Sequence, residues 1–150
     1  MPLLWLVLGW EGSLYVRRAA ARQDLYNRAR LRSRILNKPL LVLGAPDRAI
    51  TSNYDCGDIC ADIGPSKCPN SVQFDACKTW PYPDSSAVVY ISCTAEYVWN
   101  LEALVKEAQR VSGGELYVVR VEPQAPLTHV MTGSRRMIPK EAFGRAREVF

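Results

Sequence analysis

The chain has 150 residues, 48% of them hydrophobic, and a formal charge of +4. That length supports one domain with a core of its own, and that apolar share excludes a disordered chain. The charge is too small to impose a polyanion as partner, and it is unevenly spread.

The first element is apolar. Residues 2–10 read Pro-Leu-Leu-Trp-Leu-Val-Leu-Gly-Trp, Glu11-Gly12-Ser13 interrupts, and Leu14-Tyr15-Val16 resumes. A membrane-spanning helix needs about 20 apolar residues, so this run is too short and carries a carboxylate. It lacks the basic start and small-residue cleavage site of a signal peptide. Two tryptophans beside arginines suit an interfacial anchor or a protein-docking segment, and equally a first core element.

Residues 17–36 follow as an amphipathic helix, with Ala19, Ala20, Leu25, Tyr26 and Ala29 at three- and four-residue spacing. Asn37-Lys38-Pro39 ends it. Residues 17–38 hold eight Lys or Arg against Asp24 alone, a segment charge of +7 that leaves −3 of the total +4 elsewhere. Such a block points to an anionic partner, a membrane surface or an acidic protein face, or to a solvated helix face. It holds a single aromatic, Tyr26, and no RNA-binding motif, which argues against nucleic acid. The chain therefore divides into an apolar, then Arg-rich extension over 1–38 and a domain over 39–150.

Residues 40–43 form a short apolar run ending at Gly44, as a strand buried on both faces does. A short helix is expected over 47–53. Strands are expected over 59–63, closed by Gly64-Pro65, over 72–76, and over 87–93. A clear helix follows, with Val98, Leu101, Leu104, Ala108 and Val111 on one face and Gly113-Gly114 as its cap. Residues 115–121 form a fifth strand. Residues 127–138 suggest a hairpin around Thr132-Gly133-Ser134, and residues 140–150 a last helix. Strands alternating with helices predict an α/β fold: a Rossmann-like, mostly parallel sheet with helices on both faces.

In such a sheet ligands bind beyond the carboxyl ends of the strands. Gly44, Asp62, Asp75 with Ala76, and Ser92 mark four such ends. A glycine admits close approach, and two carboxylates can accept the hydroxyls and amino group of a nucleoside. Five cysteines (56, 60, 68, 77 and 93) cannot all pair, and their spacing fits no common zinc site, with His129 the only histidine. Reduced thiols in an intracellular compartment and no bound metal are the expectation.

The order of motifs resembles the class I S-adenosylmethionine (SAM) methyltransferases over roughly residues 40–123. Asp62-Ile63-Gly64-Pro65 looks like that family's ribose corner, Asp75-Ala76 like its adenine contact and Pro81-Tyr82-Pro83-Asp84 like its proline turn. Glu96-Tyr97-Val98 and Arg110-Val111-Ser112-Gly113-Gly114 look like its later motifs. The resemblance implies SAM as cofactor, held by Gly44, Asp62, Asp75, Ala76 and Ser92, and methyl transfer to a small molecule or macromolecule. The first motif departs from the pattern. Val42 stands where the family has an acidic residue, and Gly44-Ala45-Pro46 replaces G-x-G. The second implied reading is therefore a non-catalytic, methyltransferase-like subunit of a larger, membrane-associated assembly.

Overall fold

The structure, a computed structural model, describes residues 2–44 and 56–150. The strands are β1 (Leu40–Leu43), β2 (Ile59–Asp62), β3 (Ser71–Gln73), β4 (Val88–Ser92), β5 (Leu116–Val119) and β6 (Glu148–Val149). They form one sheet in the order β3-β2-β1-β4-β5-β6, every pair parallel. Strand order reverses between β1 and β4, the switch point of a Rossmann-like sheet. The helix expected over 47–53 lies outside the described residues.

β1, β4 and β5 are buried because both faces of the sheet are covered. Leu41, Leu43, Val89, Ile91, Leu116 and Val118 pack under Leu104, Ala108 and Val111 of α2 (Leu101–Ser112). The alternate residues Leu40, Val42, Val88, Tyr90, Tyr117 and Val119 meet Leu25 and Ala29 of α1 (Pro2–Leu36). The period of two in the strands thus meets one helix on each side. The Asn100 side chain caps α2 by accepting from the Ala103 N–H at 3.1 Å, and Gly113 closes it.

α1 is one unbroken helix of 35 residues, so the apolar run over 2–16 is continuous with the helix expected over 17–36. Glu11 is itself a good helix former, and its buried charge is satisfied from another element. It is 7% exposed. Its carboxylate accepts from the Leu127 N–H at 2.8 Å and from the Thr128 N–H and hydroxyl, both at 2.9 Å. Those donors open α3 (Pro126–Thr132), so one helix supplies the N-terminal cap of another.

Burial raises the Glu11 pKa, but the hydrogen bonds from Leu127 and Thr128 and the nearby His129 outweigh it, so the group titrates below an ordinary glutamate. A carboxylate depressed in the fold contributes stability above its unfolded pKa of about 4.3, and that contribution is lost as pH falls through the lower folded value. Glu11→Ala should lower stability by roughly 2 kcal/mol at neutral pH. Thermal melts of parent and variant should converge below about pH 4. A gap that persists in acid counts against the charged cap.

The basic block is largely matched within the fold. Of the seven arginines in α1, Arg18 pairs with Glu122, Arg28 with Glu148, Arg30 with Asp58 and Arg32 with Glu115. The +7 segment and the −3 remainder meet across one helix–sheet interface.

Three expectations are corrected. Residues 126–132 form α3, where a hairpin was expected. Pro126 suits the first helical turn, and Gly133, at φ +69°, ends the helix in the left-handed conformation that glycine adopts without penalty. Residues 140–150 form a 3-10 turn (Lys140–Phe143) and β6, where a helix was expected. Two of the cysteines are oxidised: Cys56, just before β2, and Cys68, just before β3, form a disulfide with their Cα atoms 5.7 Å apart, while Cys60, Cys77 and Cys93 carry free thiols. The 12-residue separation folds back on itself through Gly64-Pro65, a return that cysteine spacing does not reveal. Among the described residues no helix is long and apolar enough to cross a membrane.

Candidate functional site

A cavity of about 840 Å³ opens at the carboxyl ends of the strands, within the size range of small-molecule sites. Gly44, Asp62, Asp75, Ala76 and Ser92 all line it, so the structure brings the five sequence-predicted residues together. β1 delivers Gly44, β2 delivers Asp62, the segment after β3 delivers Asp75 and Ala76, and β4 delivers Ser92. Parallel strands with a common direction place their ends on one rim.

The two carboxylates are already engaged locally. Asp75 accepts the Cys77 N–H at 2.9 Å and the indole N–H of Trp99 at 3.1 Å. The hydrogen bond from Cys77, followed by that from Trp99, holds its carboxyl below the usual aspartate range, so it is anionic at neutral pH. One oxygen of Asp62 accepts the N–H of Ile63 at 2.7 Å. The Ser92 hydroxyl oxygen is buried and has no hydrogen-bond partner among the described residues.

Gly44 has φ +101°, and its N–H donates to the Ala61 carbonyl at 2.9 Å. A Cβ there would lie 2.0 Å from Thr94 Oγ1. Glycine was expected to let a ligand approach the backbone, and the group that approaches it here is the Thr94 side chain. That hydroxyl donates to the Ser92 carbonyl at 2.9 Å, so Thr94 roofs the end of β1.

Cys93 follows β4 at φ +47°, and burial pushes its thiol up to about 12. A neutral thiol is a poor nucleophile at neutral pH, and Cys93 is a half-buried small residue on the cavity wall. Glu96, in a 3-10 turn (Ala95–Tyr97), is fully buried. One oxygen accepts the Val121 N–H at 2.6 Å, and burial raises its pKa. The glutamate of the Glu96-Tyr97-Val98 motif thus latches the end of β5 to the turn after β4.

Sequence reasoning missed half of the wall. Tyr15, Arg18 and Arg22 reach the cavity from α1, Thr128 and Met131 from α3, and Arg135 from beyond it. Arg18 is tied to Glu122. The cavity is therefore dipolar, with Asp62 and Asp75 on the side of β2 and β3, and arginines on the side of α1. Trp99 was also missed. Its place directly after Glu96-Tyr97-Val98 was the only available signal, and that place does not disclose its bond to Asp75.

The arrangement can accept hydroxyl or amino donors of a bound molecule at the two carboxylates and meet an anionic group at the opposite wall. The imidazole of His129 is occupied elsewhere, 2.8 Å from the Ser134 hydroxyl and 3.2 Å from the Glu122 carbonyl. Among the described residues no group of three His, Cys, Asp or Glu is placed to hold a metal ion. No protein-family model, curated protein or solved structure matches the chain.

Proposed function

We propose that the chain is a small methyltransferase-like protein whose cavity takes S-adenosylmethionine. Asp62 accepts the ribose hydroxyls, and Asp75 with Ala76 meets the adenine. Gly44 and Ser92 border the remainder. The observation that carries this reading is the convergence of those five residues on one cavity at the switch point of a Rossmann-like sheet. Transfer of a methyl from a sulfonium to a good nucleophile proceeds largely by positioning and desolvation, which a partly closed cavity supplies. The acceptor is a small molecule or a partner chain, and residues 1–36 attach the protein to a membrane or assembly.

A specific observation supports a second reading, a non-catalytic subunit. Val42 points into the apolar layer under α1, where no carboxylate can meet a cofactor, and Thr94 fills the space over Gly44. Calorimetric titration with SAM and with S-adenosylhomocysteine separates the two. Asp62→Ala should weaken SAM binding by roughly 1.5–3 kcal/mol, about 10- to 150-fold. Heat of binding absent from the parent protein rejects the cofactor and leaves the subunit reading standing.

A further inference from the structure

α1 runs antiparallel to the strands. Arg32 near its C-terminus pairs with Glu115, which precedes β5, whereas Arg18 pairs with Glu122, which follows β5. Further toward its N-terminus, Glu11 caps α3, which helps to line the large cavity. Residues 2–10 therefore project from the end of the molecule at which that cavity opens.

The projecting turns are apolar on every side: Leu3, Trp5 and Leu6 are 75%, 73% and 70% exposed, and Leu4, Val7, Leu8 and Trp10 are exposed as well. A helix that is apolar all round belongs in an apolar medium and not on a surface. Nine residues span about 13 Å, close to half of a hydrocarbon core of about 30 Å. Exposed cations lie on the same side of the molecule. Arg17 and Lys140 line a smaller cavity together with Trp10, and Arg135 lies at the mouth of the large one. Among the described residues none of these three forms a salt bridge, unlike the arginines that bind α1 to the sheet. The mouth itself carries exposed Ile63, Trp99 and Met131, with Val130 beside them. An apolar peg with a tryptophan at its base and cations on the same side matches one leaflet of an anionic bilayer.

We infer that residues 2–10 insert into one leaflet of an anionic membrane, that this seats the cavity mouth on the bilayer, and that the molecule entering the cavity is an amphiphile drawn from that membrane. The inference rests on reading the cavity as the binding site and not on the identity of its cofactor. The apolar rim receives the chain, and Arg135 stands where the head group of a lipid crosses from surface to cavity.

The test uses the full chain. It should sediment with phosphatidylcholine vesicles containing about one-third phosphatidylserine, and less with phosphatidylcholine alone, the difference shrinking at high salt. Trp5→Glu with Leu6→Glu should cut binding at least about tenfold, since a charge deep in the bilayer is costly. In a Trp5→Phe/Trp10→Phe variant the tryptophans left are buried Trp80 and exposed Trp99. Brominated lipid should quench Trp99. Protein incubated with vesicles of pyrene-labelled phosphatidylserine and then separated from them should retain labelled lipid. Vesicle binding without quenching would mean that the cavity faces away from the membrane, and quenching without retained lipid would mean that it takes no lipid; either overturns the inference. So does a full chain that ignores anionic vesicles, including one that covers residues 2–10 by self-association. SAM titration without lipid reads the cofactor separately: binding of SAM without vesicle binding sinks only this inference, and the reverse result sinks only the cofactor.

Discussion

Trp80→Ala should lower the unfolding free energy by about 3–5 kcal/mol, as large aromatic truncations in cores do. Trp80 is 1% exposed and packs in the layer under α2, its ring 5.7 Å from that of Phe74. The side chain is also anchored at its polar atom: the indole N–H donates to the Ala76 carbonyl at 2.8 Å. Its backbone is stapled to α2, with the N–H donating to Glu107 at 2.8 Å and the carbonyl accepting from Arg110. Arg110 further reaches the Tyr82 carbonyl and Asp84, so α2 holds the whole Pro81-Tyr82-Pro83-Asp84 turn. Trp80→Phe keeps most of the buried area and loses the bond to Ala76, at a cost of roughly 1–2 kcal/mol. Denaturant unfolding followed by circular dichroism reads both. A loss below about 1 kcal/mol for Trp80→Ala would show that this loop is not part of the core.

Gly44→Ala should cost roughly 3 kcal/mol, from two sources that can be separated. One is φ +101°, a backbone region that a Cβ disfavours. The other is the 2.0 Å approach to Thr94 Oγ1. Thr94→Ala removes that oxygen, so the double variant should recover roughly half of the loss, while the φ strain remains. Additive losses would mean that Thr94 does not roof β1. Gly12 gives the contrast: a Cβ there meets nothing within 4 Å, and Gly12→Ala in the middle of α1 should stabilise by up to about 1 kcal/mol.

What was legible in the sequence was local. The runs at Leu40–Leu43 and Val88–Ser92 read as strands because burial on both faces leaves no polar position to confuse the pattern. α2 carried its period and its glycine stop, while its Asn100 cap went unread. Given parallel strands, the meeting of Gly44, Asp62, Asp75, Ala76 and Ser92 followed from direction alone. What was not legible depends on distant partners. Glu11 reads only as a carboxylate interrupting an apolar run until Leu127 and Thr128 are placed against it. The arginines of α1 read as a surface for an outside anion until Asp58, Glu115, Glu122 and Glu148 come within reach. The end of the chain was different in kind. Pro126 and Gly133 were ordinary start and stop signals for a short helix, and the apolar residues on either side of Gly133 masked them.

The order of α1 and its partners along the chain has a consequence for biosynthesis. α1 is translated before everything it lies against. Tyr90 donates to the Arg22 carbonyl across 68 positions, Glu122 meets Arg18 across 104, and Thr128 meets Glu11 across 117. At about 5–20 residues per second, the finished helix waits several seconds on the ribosome for its counterparts. Throughout that interval the apolar stripe of Leu25 and Ala29 and the carboxylate of Glu11 lie open to solvent, nascent-chain chaperones or a nearby bilayer. The contacts of α1 with β5 and α3 close only when the last third of the chain emerges.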